Sequence, residues 1–197
     1  MARKIISEPF IEGNSHYQDT ELLLKLYRKV NAILLKKVST TKRYFEKEYG
    51  CNVTEFLDTM KKYGIDLNDD IELVTSVNEI KYLHNILSIV DSNIKHIEEN
   101  SENGKVLAAC IYSTYITKHK LSLHERRKNV TKAVNPDQLK LISERTFFRR
   151  LDEAMKEMDY WLWYNDKDSQ KIEEFLQREA VKLNLIEERK DDTHDRT

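Results

Sequence analysis

Apolar residues recur every three or four positions along most of the chain, the spacing that places them on one face of an α-helix. In the middle of the chain six aliphatic residues follow one another in this way: Ile80, Leu83, Leu87, Val90, Ile94 and Ile97. Their spacing is typical of an a/d seam of nearly three heptads. Such a seam either packs inside a helical bundle or pairs with a second copy of the chain as an oligomerisation surface, and the pattern leaves both open.

Interruptions of the helical pattern divide the chain into segments. Residues 1–18 lack periodicity and contain Pro9 and Gly13, so we expect a flexible arm. The polar run at 100–104 predicts a linker between an N-terminal helical domain (19–100) and a second domain (105–164). We expect a C-terminal amphipathic helix over 165–189 and a disordered tail at 190–197. Ser-Thr-Thr at 39–41 weakens the first helical pattern and predicts a break there.

Composition supports an all-α fold class, with an N-terminal helical bundle, a helix-turn-helix domain and a C-terminal amphipathic helix. The chain has only 4 glycines and 2 prolines, which sheet-rich folds need in larger number for their turns. It lacks the roughly 20 consecutive apolar residues of a membrane span. Cys51 and Cys110 are isolated thiols, which fit a reducing compartment, so we expect a cytoplasmic protein away from membranes.

Motifs for catalysis are missing from the sequence. The four glycines stand alone and form no phosphate-binding loop. The six histidines are scattered without metal-ligand spacing. We therefore predict that the protein is not an enzyme and that it carries no cofactor and no metal.

Charge is distributed unevenly along the chain, although the net charge is only -1. Residues 105–150 contain 11 Lys or Arg against 3 acidic residues, an excess of +8, whereas residues 151–197 contain 8 basic and 14 acidic residues. Basic blocks of this kind are either solvated faces or surfaces for nucleic acid.

After a hydrophobic helix predicted at about 106–118, two helices that carry basic residues are predicted in the rest of the basic block. Ser122 and Glu125 have the spacing of a capping box at the start of the first, which Asn135-Pro136 ends. Ser143 is placed to cap the second, which we expect to run to about Tyr164. The first helix offers cations for DNA phosphates, namely Arg126, Arg127, Lys128 and Lys132. The second opens with Arg145, Thr146, Arg149 and Arg150, and a helix in the major groove contacts base edges with its N-terminal residues.

The segment 141–154, Leu-Ile-Ser-Glu-Arg-Thr-Phe-Phe-Arg-Arg-Leu-Asp-Glu-Ala, resembles the recognition-helix region of phage late-gene regulators of the ArpU and RinA type. These carry a helix-turn-helix similar to that of sigma factors. The resemblance implies DNA-facing roles for Ser143, Arg145, Thr146, Arg149 and Arg150, with Phe147, Leu151 and Ala154 underneath. It also implies RNA polymerase as a partner. The turn at 135–142 is eight residues long, against a usual three or four, unless residues 138–140 add a helical turn.

The sequence thus predicts a sequence-specific regulator of transcription that binds double-stranded DNA, with a homodimer as one arrangement. Two alternatives stay open. One is a helical adaptor that binds protein through the Ile80–Ile97 seam without DNA. The other is a phage DNA-packaging recognition subunit, which also combines a helix-turn-helix with oligomerising helices.

Overall fold

The computed structural model describes residues 16–52, 55, 70–135, 137, 140–164 and 166–182. These residues form six α-helices, with no strand among them, which confirms the predicted all-α fold class. Four predictions fall partly or wholly outside the described residues: the arm up to residue 15, the C-terminal helix beyond residue 182, the tail at 190–197, and residues 138 and 139 of the extra helical turn.

Helix α1 runs from His16 to Tyr49 without interruption, so residues 16–18 belong to it and not to the predicted arm. The break predicted at 39–41 is wrong, because threonine and serine lower helix propensity only slightly. Beyond those residues Phe45 is buried against Leu73 of the next helix, which holds the end of α1 in place. The helix ends at Gly50, which has a φ of +67° and donates its N–H to Glu46 O at 3.0 Å. Glycine adopts this left-handed conformation without strain.

Helix α2 runs from Ile71 to Asn100 and is capped by Asp70, whose carboxylate accepts the N–H of Leu73 at 2.9 Å. Tyr49 at the end of α1 donates its hydroxyl to the same carboxylate at 2.7 Å. These two hydrogen bonds, the backbone one first, lower the pKa of Asp70. The cap therefore also joins the end of α1 to the start of α2.

The aliphatic seam of α2 packs within the chain's own core. Leu83, Leu87, Val90, Ile94 and Ile97 are buried and Ile80 is half-buried. The assignment of these six residues to oligomerisation is therefore wrong, and the intramolecular alternative is the one the structure shows. Side chains that are buried in this way within one chain are not available to a second copy of the chain or to a protein partner.

The run 100–104 forms a tight corner instead of a linker. Helix α3, Gly104–Ile111, begins immediately after Asn103, whose φ of 60° turns the chain. Gly104 is buried against the end of α2. A Cβ there would lie 2.2 Å from Ile97 O and 2.6 Å from Glu98 O, both backbone atoms. The absence of a side chain thus allows α3 to pack directly on α2.

A π-helical turn, Tyr112–Ile116, continues α3 toward the two later helices of the basic block. Arg28 of α1 holds its end: the guanidinium donates to Thr114 O and to Thr117 O, each at 2.7 Å. Burial, and secondarily the charge of Arg126, lowers the pKa of Arg28. The segment that leads from α3 to the later helices of the basic block is thereby fixed to α1.

Three further helices complete the described chain: α4 (Leu123–Val134), α5 (Glu144–Tyr164) and α6 (Asp166–Lys182). A continuous buried cluster takes side chains from every helix, for example Leu24, Ile94, Ile111, Val130, Phe147 and Phe175. The predicted division into domains at 19–100 and 105–164 is therefore corrected, because both segments share this core. None of the helices described combines the length and apolar composition that a bilayer span needs.

Candidate nucleic-acid interface

Two side chains of α4 hold Ile142, which lies two residues before the start of α5, by both of its backbone polar groups. Arg127 Nε donates to Ile142 O at 2.8 Å, and Thr131 Oγ1 accepts the N–H of Ile142 at 3.1 Å. Thr131 also donates to Arg127 O at 2.7 Å. A further contact joins Arg127 Nη1 to Glu144 Oε1 at 3.3 Å. This arrangement, which we call the bracket, fixes the start of α5 against the middle of α4.

The bracket changes the role predicted for Arg127. Its side chain is only 20% exposed, and the guanidinium is already bonded to Ile142 and Glu144. The structure therefore gives Arg127 a positioning role in place of a free cation, and its predicted contact with a DNA phosphate stays a prediction. Arg126 is similarly engaged, since its Nε donates to Leu121 O at 2.9 Å just before α4.

The start of α5 is capped as the sequence predicts. Ser143 Oγ accepts the N–H of Thr146 at 3.1 Å, and the two hydroxyls lie 2.9 Å apart. Phe147 donates its N–H to Ser143 O at 2.9 Å, and its ring is fully buried. Ser143 and Thr146 thus serve the helix start itself, while the ring of Phe147 anchors the first turn to the core.

The first two turns of α5 present an exposed face with two cations. Arg145 and Arg149 are exposed, and Phe148 between them is 53% exposed. At about 100° per residue, these three side chains lie within an arc of about 100°. In the described part of the chain Arg145 makes no ion pair or hydrogen bond. Farther along the same face, Asp152 pairs with Lys156 at 2.9 Å, so the exposed positive charge is confined to the start of the helix.

Arg149 and Arg150 of this helix both lie near Glu153, but at different distances and with different exposure. Arg150 Nη1 lies 2.7 Å from Glu153 Oε2, and its side chain is 27% exposed. Arg149 Nε lies 3.9 Å from the same carboxylate, and its side chain is 63% exposed. Arg150 is therefore held at the edge of the core by a close ion pair, and the prediction that it reaches bases stays a prediction. Arg149 keeps a loose partner and an accessible guanidinium.

On α4, Lys128 and Lys132 are the predicted phosphate contacts that remain exposed. Their spacing of four residues places them on one side of the helix, about 100° and 140° around the helix axis from Arg127. The helix begins with the predicted capping box: Ser122 accepts the N–H of Glu125 at 3.3 Å, and Glu125 accepts the N–H of Ser122 at 2.8 Å. Hydrogen bonds from Ser122 lower the pKa of Glu125.

Sequence reasoning missed Phe148 as a member of this face. Phe147 and Phe148 are adjacent and chemically identical, yet one is buried and the other half in solvent. Helical phase was the signal that separates them, because Phe147 shares its face with the apolar Leu151 and Ala154 whereas Phe148 lies about 60° from Arg145, at one end of the arc that also holds Arg149.

We also searched the described residues for metal ligands and for a reactive cysteine. No cluster of three or more His, Cys, Asp or Glu in those ranges is placed to hold a metal. Cys110 is buried, and burial raises the pKa of its thiol to about 12. That thiol is protonated near neutral pH and is therefore a poor nucleophile.

The chain matches no protein family, no curated protein and no solved structure. The resemblance of residues 141–154 to phage regulators accordingly stays a prediction that rests on those residues.

Proposed function

We propose that the protein is a sequence-specific regulator of transcription that binds double-stranded DNA and inserts the start of α5 into the major groove. One observation carries the proposal: Arg145, Phe148 and Arg149 face solvent together on the first two turns of a helix whose deeper side is buried. By its resemblance, the protein would control genes of a phage or integrated element.

The position of these arginines favours a nucleic acid over simple solvation. The helix dipole slightly disfavours cations at a helix N-terminus, so solvation alone gives no reason for Arg145. Phosphates and base edges do give one, because the groove brings negative charge to that end of the helix and guanidinium groups bond guanine O6 and N7 in a bidentate manner. The bracket from Arg127 and Thr131 to Ile142 keeps the angle of this helix fixed, which specific recognition requires.

The exposure of the predicted cations supports an expected number of electrostatic contacts. Of the cations predicted from the sequence, four are exposed and not tied by a close bond: Arg145, Arg149, Lys128 and Lys132. If all four neutralise phosphates, the logarithm of the binding constant should fall with the logarithm of salt concentration with a slope of about -3.6, and each arginine that contacts only a base edge makes that slope shallower by about 0.9.

The test is binding to random-sequence duplex DNA across a salt series, comparing the wild type with Arg145→Glu/Arg149→Glu. The wild type should bind at micromolar concentration with the slope given above. Binding of the double variant should collapse. A folding defect is not expected, because glutamate suits the first turn of a helix electrostatically and Arg149 has only a loose partner to lose.

A matched control separates a local effect from a change in net charge. Lys36→Glu/Arg43→Glu makes the same charge change at two exposed positions on the distal half of α1 and should retain most of the binding. No binding by the folded wild type at low salt would refute the proposal, and so would equal losses in the two double variants. A ring-sized assembly by solution mass measurement would instead favour the packaging-subunit alternative.

A further inference from the structure

Phe148 is a large apolar side chain on the face where α5 carries its accessible arginines. It is 53% exposed, while the adjacent Phe147 is fully buried and fills the core position of that turn. The two rings meet edge to face with centroids 5.4 Å apart, so the Phe148 ring is supported on one side and open on the other. The packing of the fold alone therefore gives no reason for a phenylalanine in this place.

The major groove offers one apolar group among the base edges, the C5-methyl of thymine, and phenylalanine is among the side chains that contact it. Along the helix axis Phe148 lies about 4.5 Å from Arg145 and about 1.5 Å from Arg149. Base pairs are stacked about 3.4 Å apart. Side chains with this axial spacing address the same or neighbouring base pairs.

We infer that Phe148 packs on the C5-methyl of a thymine, next to a guanine bonded by Arg145 or Arg149. This inference rests on the proposed function and adds to it the kind of base pair that the helix prefers. Its consequence is that DNA lacking the methyl group binds more weakly, although its pairing and its hydrogen-bonding edges are unchanged.

The experiment compares thymine and uracil copies of one DNA pool. Repeated rounds of binding to the wild type first enrich a random-sequence duplex library, and the enriched pool is then copied with either dTTP or dUTP. The wild type should bind the uracil copy about fourfold more weakly for each methyl group that Phe148 would otherwise cover, which corresponds to the burial of one apolar carbon. Phe148→Ala should bind the two copies equally and still depend on salt.

Two variants control for side effects. Tyr160→Ala removes a ring that is 54% exposed near the other end of the same helix, and it should keep the wild-type ratio between the copies. Phe148→Leu retains an apolar side chain and should keep most of the ratio, which separates removal of the apolar surface from a local disturbance of the helix. Circular dichroism confirms that each variant is folded.

The outcomes distinguish this inference from the proposed function. Salt-dependent binding with equal affinity for both copies would overturn the role of Phe148 and leave DNA binding intact. A ratio that persists in Phe148→Ala would also overturn it, since the difference would then come from the DNA itself. Absence of binding to either duplex would overturn both proposals.

Discussion

Replacing Arg127 with methionine removes the arginine contacts of the bracket between α4 and α5, leaves the bond from Ile142 N–H to Thr131 in place, and keeps most of the volume of the side chain. The variant loses the hydrogen bond from Nε to Ile142 O and the ion pair with Glu144. A hydrogen bond from a charged donor contributes about 1.5–3 kcal/mol. The ion pair adds at most about 1 kcal/mol, because Glu144 is 62% exposed. Water can reach the partly buried carbonyl once the guanidinium is gone, so we expect a net loss of about 2 kcal/mol.

The assay is denaturant and thermal unfolding together with a DNA salt series, and Lys128→Met is the matched control. A loss of about 2 kcal/mol should lower the Tm of Arg127→Met by about 4–8 °C for a chain of this size. Lys128→Met should change stability by less than about 0.5 kcal/mol, because Lys128 is exposed. The salt slope should become shallower by about 0.9 in Lys128→Met and stay unchanged in Arg127→Met. The affinity of Arg127→Met should fall only because the start of α5 has lost its bonds to Arg127 and is held less firmly.

The opposite pattern would show that the reasoning about Arg127 is wrong. If Arg127→Met unfolds at the wild-type denaturant concentration while its salt slope becomes shallower by about 0.9, the guanidinium contacts a phosphate and the bracket contributes nothing measurable.

Three further predictions concern the packing that supports the interface. Gly104→Ala should lose roughly 3 kcal/mol in denaturant unfolding, because the added Cβ meets the backbone at Ile97 O and no flexible side chain can move aside; an unchanged midpoint would contradict this. The Thr20 hydroxyl donates to Asp159 at 2.7 Å and accepts from Trp163 Nε1 at 2.8 Å. The free energy of unfolding should therefore fall by about 2–4 kcal/mol in Thr20→Val and by less than about 1 kcal/mol in Thr20→Ser, which keeps the hydroxyl. Similar losses in the two variants would argue against this role of the hydroxyl. Burial raises the pKa of Asp159, so the folded state binds more protons than the unfolded state, and stability is lost as pH rises through that pKa. Urea midpoints measured between about pH 4 and pH 7 should show this loss in the wild type and not in Asp159→Asn. Parallel pH curves for the two proteins would refute the prediction.

Local chemistry made the helix starts predictable from the sequence. Ser122 with Glu125, and Ser143, act where the sequence places them, because a cap depends on backbone groups within three or four residues. The apolar phase of Leu83 to Ile97 likewise identified a buried helix face. It could not say which surface would cover that face, since a bundle and a dimer demand the same pattern.

Tertiary structure decided which members of the basic block remain accessible. Arg127 and Arg145 are the same residue type in the same stretch of chain, yet the first is bonded to Ile142, fifteen positions away, and the second faces solvent. The run at 100–104 has the composition of a linker but forms a corner, because Gly104 meets the end of α2. Composition and periodicity describe what a residue can do along its own helix. The groups that satisfy an arginine or enclose a glycine come from other helices, and only the folded chain brings them together.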